Sequence, residues 1–215
     1  AYTRAYNIEV LQNKHGVFIM EHLAVVADTV QKIIDIELTW KIDETGKIIA
    51  SMEAQKDEEF PDLPRFGIRL FLDKKFEDVA YYGMGPHESY RDKHQATSHG
   101  IYRSKVTDLH EDYIRPQENG SHYDCDYVEL TNAQYGFAIV SEDSFSFNAS
   151  YYTQEVLEQT EHNFELEESD STVLCVDYAL NGIGSNSCGP VVLDQYRFRE
   201  NEFRFQLKLV PYVKR

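Results

Sequence analysis

An all-β, antiparallel fold is predicted by three observations. Apolar and polar residues alternate with a period of two over most of the chain. Short polar segments rich in Gly, Pro, Asn and Asp interrupt the alternation at intervals. The 215 residues include 15 Tyr and 12 Phe, rings that suit broad sheet faces.

The clearest strand is 34–42, where Ile34, Ile36, Leu38, Trp40 and Ile42 alternate with polar residues, a pattern that gives a strand one buried face and that a helix cannot use. Trp40, the single Trp, reads as a core residue. The same alternation marks 66–72, 145–151 and 203–209. Shorter strands are expected at 17–20, 47–52, 79–82, 127–130, 137–140 and 173–176. Asp43-Glu44-Thr45-Gly46 supplies a hairpin turn between the Trp40 strand and the next. Only 153–168 departs from this pattern: Val156, Leu157, Thr160 and Phe164 recur at helix-like intervals, with Thr153 placed as an N-cap, so one short helix is expected there. Neither a repeat nor a low-complexity linker divides the chain, and 1–215 is expected to form one compact unit, an antiparallel meander closing into a large sandwich whose loops gather at its edges.

Composition narrows the partners. A formal net charge of −16 repels phosphate backbones, and no Lys/Arg cluster offsets it locally, so nucleic acid is not expected. No run approaches the roughly 18–20 apolar residues of a membrane-spanning helix, and residues 1–6 lack the pattern of a signal peptide. Three widely spaced cysteines, Cys125, Cys175 and Cys188, form no C-x-x-C pair and read as free thiols of a cytoplasmic protein.

Three shaped segments carry the chemistry: 82–92, 115–120 and 182–190. Glycoside hydrolysis needs two carboxyl groups roughly 5–10 Å apart. Glu88 and Glu118 are the local candidates, but each lies beside groups able to brace it: Arg91 near Glu88, and Arg115 or the Asn119-Gly120 turn near Glu118. His87 and His122 are placed to orient sugar hydroxyls or to bond backbone carbonyls. His94 and His99 suit neither one helix face nor one strand face. Gly184-Ser185-Asn186-Ser187-Cys188-Gly189 misses the nucleophile-elbow spacing by one residue. Pro86 denies the Gly83-Met84-Gly85 segment the helix N-terminus that would hold a pyrophosphate.

In order and spacing these segments resemble the C-terminal β-domain, or separate small subunit, of the family 2 bacterial β-galactosidases. Gly83, Gly85, Pro86, Glu88, Tyr90 and Asp92 match the family's G-x-G-P-x-E-x-Y-x-D signature. Pro116, Glu118, Asn119 and Gly120 look like its P-x-E-N-G segment; Phe147, Asn148, Ser150 and Tyr152 match its F-N-x-S-x-Y strand, and His162 falls at its later His. The resemblance runs from about residue 33 to residue 208. It implies a large antiparallel supersandwich of the galactose mutarotase-like kind, and a non-catalytic part of an enzyme that hydrolyses terminal β-galactosides such as lactose.

In that family the loop matching 182–190 reaches the active site and offers a Trp to the sugar. Here the Trp position falls on Cys188, so Asn186, Ser187 and Cys188 are expected near the substrate but without a flat stacking face. The family's acid/base and nucleophile glutamates, with its Mg and Na sites, belong to a TIM barrel of roughly 200–250 residues, and no segment here looks like one. The resemblance therefore implies no cofactor in this chain, a catalytic barrel as partner, fused or separate, and an oligomer once assembled. Two other readings stand beside it. One is an independent carbohydrate-binding module using Tyr81, Tyr90 or Tyr123 as stacking surfaces; the other is a mutarotase-like enzyme with a Glu and a His at the sugar ring.

Overall fold

A computed structural model describes residues 1–184 and 191–214. Among these residues the fold is all-β: eleven strands, one helix and short 3-10 turns. The described residues group into two compact units, interleaved along the chain.

Unit 1 comprises Ala1–Leu63, Ile139–Asp143 and Arg199–Pro211. Its strands are β1 (Tyr2–Asn13), β2 (Gly16–Val26), β3 (Lys32–Ile42), β4 (Ile48–Lys56) and most of β11 (Glu202–Val213). They lie in the order β1-β2-β3-β4-β11, each neighbour antiparallel. The predicted Asp43 turn joins β3 to β4: Asp43 Oδ1 accepts from the backbone N–H of Thr45 (2.8 Å) and Lys47 (3.1 Å), and Gly46 takes the positive φ of +80° that closes the turn. The alternation in β3 has the expected consequence. Ile34, Ile36 and Leu38 are buried, and register aligns them with Ala54 and Met52 of β4 and Phe203 and Phe205 of β11, all buried on one face. Lys56 ends this apolar row and gives its ammonium to the carbonyls of Asp57 (2.9 Å) and Phe60 (2.8 Å), which satisfy two of its three donors. Trp40 is not a core residue: it is half-buried and its indole N–H points at Glu21 Oε2, 3.4 Å away.

Unit 2 comprises Pro64–Ala138, Ser144–Phe198 and Tyr212–Arg215. Here β6 (Asp78–Gly85) lies between β7 (Ser98–Lys105) and β8 (His122–Thr131), while β10 (Ser171–Leu180) lies between β5 (Arg65–Asp73) and the far end of β9 (Tyr135–Ser150). These pairs are antiparallel. The segments expected as two strands at 137–140 and 145–151 are one continuous β9. Its last six residues, Phe145 to Ser150, are all buried. Period-two alternation there does not mean one wet face: Ser146, Asn148 and Ser150 form a second, buried polar face, and that face builds part of the site described below.

The expected helix is α1 (Gln154–Gln159), with Thr153 as N-cap accepting from Val156 N at 3.2 Å. No helix among the described residues is long and apolar enough to cross a membrane. Two strands were illegible in sequence, β1 and β7. A bulge between Ala5 and Asn7 interrupts the period of β1, and every β1 residue is exposed. In β7 the most apolar side chain, Ile101, points to solvent.

Candidate functional site

The loops that stood out in sequence meet within unit 2. The turn after β6 and the segment entering β8 are stitched together by backbone and side-chain bonds: Ser89 N to Ser121 O (2.7 Å), Tyr123 N to Ser89 Oγ (2.9 Å), and the His122 Nδ1 contact with Met84 O (3.2 Å). Two glycines permit this approach. A Cβ on Gly83 would sit 2.1 Å from Cys125 Sγ; Gly120 holds φ +67° with its α-carbon facing Leu109 O, which an added Cβ would meet at 2.4 Å. Gly85 packs against Tyr81 and Tyr102 in the same way, and Pro86 follows it through a cis peptide.

Glu88 is the hub. It is 8% exposed. Its Oε1 accepts from Lys93 Nζ and from the Tyr113 hydroxyl, and its Oε2 accepts from the Tyr90 hydroxyl (3.1 Å) and the Gly120 N–H (3.0 Å). Burial pushes its carboxyl up, but the bonds from Lys93, Tyr113 and Gly120 outweigh that and hold it below the ordinary carboxylate value. Such a group stays ionised and cannot keep a proton for a leaving group. The bracing partner is Lys93 rather than Arg91, whose guanidinium instead donates to Arg197 O at 3.2 Å.

Glu118 belongs to a second cluster. Its Oε2 accepts from Arg65 Nη1 at 2.9 Å; neither Arg115, which is exposed, nor the Asn119-Gly120 turn holds it. Arg65 also grips Asp177 through Nε (3.2 Å) and Nη2 (2.5 Å) and reaches Asn148 Oδ1 (3.3 Å). Burial works against the guanidinium charge, but Asp177 and Glu118 more than offset it, and Arg65 remains a cation. Burial raises the Glu118 carboxyl against the pull of Arg65, with Asp177 and Glu88 adding to the rise. Its other oxygen, Oε1, is buried without a hydrogen-bond partner among the described residues. Asn119 is structural: its Oδ1 accepts from Glu111 N (3.3 Å) and its amide donates to Gln117 O (3.0 Å), next to buried Pro116.

Asp92 ties the start of the third loop to the signature turn. Its carboxylate accepts from Ile183 N (3.2 Å) and Gly184 N (2.6 Å), so the stem of the 182–190 segment starts from the signature turn. Asn186, Ser187 and Cys188 lie outside the described residues.

Other sequence candidates take structural places. Tyr81 and Tyr90 are each 1% exposed, so neither offers a ring face to a sugar. Tyr123 is half-buried and stacks on His94. His122 is buried, with its ring 4.4 Å from Tyr81 and 5.1 Å from Phe147, and burial lowers its pKa to about 4; it is a neutral core imidazole. His87 is exposed on the turn. His94 and His99 contact the carbonyls of Tyr90 and Asp124, each at 3.0 Å. Cys125 and Cys175 are free, buried thiols, the latter pushed up to about 12 by burial and so no nucleophile. No group of three His, Cys, Asp or Glu among the described residues is arranged to hold a metal ion.

Sequence reasoning missed Lys93, Tyr113, Arg65 and Asp177. Lys93 and Tyr113 hold Glu88, Arg65 holds Glu118 and Asp177 holds Arg65, pairings set by loop packing and cross-strand register and not by local sequence.

Comparison with known proteins decides the family. A family model described as the β-galactosidase small chain matches residues 2–209, across both units. The chain belongs to the β-galactosidase small chain family. It is 43% identical to a β-galactosidase of Actinobacillus pleuropneumoniae, over 98% of this chain and 20% of that protein, and 40% identical to one of Staphylococcus xylosus, over 97% and 21%. This small chain thus spans about one fifth of the curated relatives it matches. It is also similar to the crystal structure of a GalM/aldose epimerase homologue from C. elegans, with 10% identity, a TM-score of 0.46, and coverage of 96% of this chain and 68% of that one.

Proposed function

We propose that this chain is the non-catalytic small-chain part of a β-galactosidase. The loops held by Glu88, Arg65 and Asp92 form one wall of a galactoside pocket, and the carboxylates that break the glycosidic bond of substrates such as lactose come from a barrel part, fused or separate, that also carries the metal ions. The observation that carries this reading is the state of the two loop glutamates. Glu88 is fixed as an anion by four donors, and Glu118 is locked onto Arg65. A hydrolase needs one carboxyl that carries a proton to the leaving oxygen and one free to attack or to activate water. Glu88 keeps no proton, and Glu118, whose carboxyl burial raises, gives one oxygen to Arg65 and holds the other buried inside the unit.

The remaining four fifths of the relatives' length is ample for a barrel. Asp92 gives the signature turn its task in this reading: it anchors Ile183 and Gly184, the residues that lead into the segment expected near the substrate.

Residues 1–215 purified alone are expected to release no nitrophenol from a nitrophenyl β-galactoside above the uncatalysed rate, and the enzyme containing both parts to hydrolyse it. Hydrolysis by 1–215 alone at a rate near that of the whole enzyme would overturn the proposal.

A further inference from the structure

Register in unit 1 carries the buried apolar face outward to a strand whose residues are all exposed. Residues paired across antiparallel strands project to the same face. One such row runs Leu207, Ala50, Trp40, Ile19, Val10, and the next runs Phe205, Met52, Leu38, Glu21, Ile8. At the inner end Leu207 and Phe205 are each 1% exposed. At the outer end Val10 and Ile8 are 62% and 55% exposed, with Trp40 and Ile19 half-buried between. The face that is core on β4 and β11 is therefore solvent-facing on β1.

The edge itself is also open. Among the described residues β1 has β2 as its neighbour on one side and none on the other, and all twelve of its residues are exposed. Natural sheets blunt such edges with short strands, charges, prolines or bulges. Over β1 the sequence provides Arg4 and Glu9 as the only charges and no proline, and its one bulge, between Ala5 and Asn7, leaves 7–13 regular. An edge this long, with a row of unpaired backbone groups and an apolar face beside it, has the form of a β-augmentation site, in which an added strand supplies hydrogen bonds and its alternate side chains supply apolar cover.

We propose that β1 and the face formed by exposed Ile8 and Val10 with half-buried Ile19 and Trp40 take a β-strand with apolar side chains from the larger part of the β-galactosidase. The proposal rests on the reading above. The occupant is chosen from length: relatives that match this chain over about one fifth of their length carry the other four fifths elsewhere, and an apolar face continuous with the core is a natural place for that remainder to continue the sheet. Assembly then does more than bring two parts together, because the added strand completes unit 1 as a folded body.

The test uses the intact enzyme containing this chain, with Val10→p-benzoylphenylalanine for photo-crosslinking and hydrogen exchange read over Tyr2–Asn13. Expected is a crosslink to a segment outside 1–215, with β1 amides exchanging at least about 100-fold more slowly than an open strand edge would. A crosslink between two copies of β1 would assign the face to self-association and overturn the proposal. Fast exchange with no crosslink would overturn it as well. Either result in an enzyme that still hydrolyses galactosides leaves the functional reading standing, whereas an enzyme inactive before the substitution would count against that reading instead.

Discussion

Asp177→Asn is expected to lower the stability of this chain by about 3–5 kcal/mol, the range seen when one partner of a buried ion pair is removed. Asp177 is 3% exposed and receives two of the hydrogen bonds made by Arg65. An amide in its place turns an NH2 toward the guanidinium and leaves the cation with Glu118 as its remaining carboxylate. Desolvating a guanidinium is costly unless opposite charge surrounds it, so the loss is that of an under-compensated buried charge and not of a single bond. Glu118 responds in a definite direction. Asp177 is one of the groups that raises its pKa, so in the variant the Glu118 carboxyl titrates at lower pH. Urea denaturation gives the stability, and carboxyl chemical shifts followed against pH give the titration. A loss below about 1 kcal/mol would show that water reaches the pair and that the cluster does not hold β5, β9 and β10 together as described.

Glu88→Gln is expected to cost about 3 kcal/mol at neutral pH and to change the acid limb of stability. Four donors converge on the carboxylate, and hydrogen bonds to a charged group contribute about 1.5–3 kcal/mol each before the cost of burial is subtracted. A glutamine offers one acceptor oxygen and places its own N–H groups against the rest. The sign of the pH effect follows from the lowered pKa. Because the folded carboxyl titrates below its ordinary value of 4.5, its contribution is fully present above about pH 4.5 and is lost as pH falls through the folded value. The wild-type chain should therefore weaken progressively below that point, and Glu88→Gln should flatten this part of the profile. Glu118 acts in the opposite sense: its raised pKa favours the folded state when it is protonated, and that contribution fades as pH rises above the ordinary value. A wild-type acid limb that persists unchanged in Glu88→Gln would mean that Glu88 is not the titrating brace.

How much of this was legible in sequence depended on whether a feature was local. Strand β3, the Asp43 turn and the Thr153 cap are each decided by residues within a few positions of one another, and all three are where periodicity and turn chemistry placed them. The signature loops were visible for the same reason. Their partners were not. Lys93 is five residues from Glu88 and Arg65 is 53 residues from Glu118, and the nearer arginines, Arg91 and Arg115, were the obvious choices. Cross-strand register brings Asp177 and Gly67 into one pair and Asp177 and Ser146 into another, setting Arg65 beside Asp177 and Asn148, and register is a tertiary property. The buried polar face of β9 was hidden for a related reason: alternation of Phe with Ser and Asn reads the same whether the polar side faces water or an internal ion cluster. Trp40 and β1 show the converse, since a strand pattern reports which residues share a face but not how far along the sheet that face stays covered.

The central claim is that the carboxyls of this chain brace a pocket wall and that bond cleavage is done elsewhere. Glu118→Gln in the assembled β-galactosidase tests it most directly, because glutamine keeps an acceptor for Arg65 while removing any proton the carboxyl could exchange. The predicted result is a kcat within about threefold of wild type and an unchanged pH–rate profile. Loss of a general acid or base typically costs roughly 10²–10⁴-fold in rate; a fall of that size with stability intact, and with one limb of the profile gone, would contradict the account.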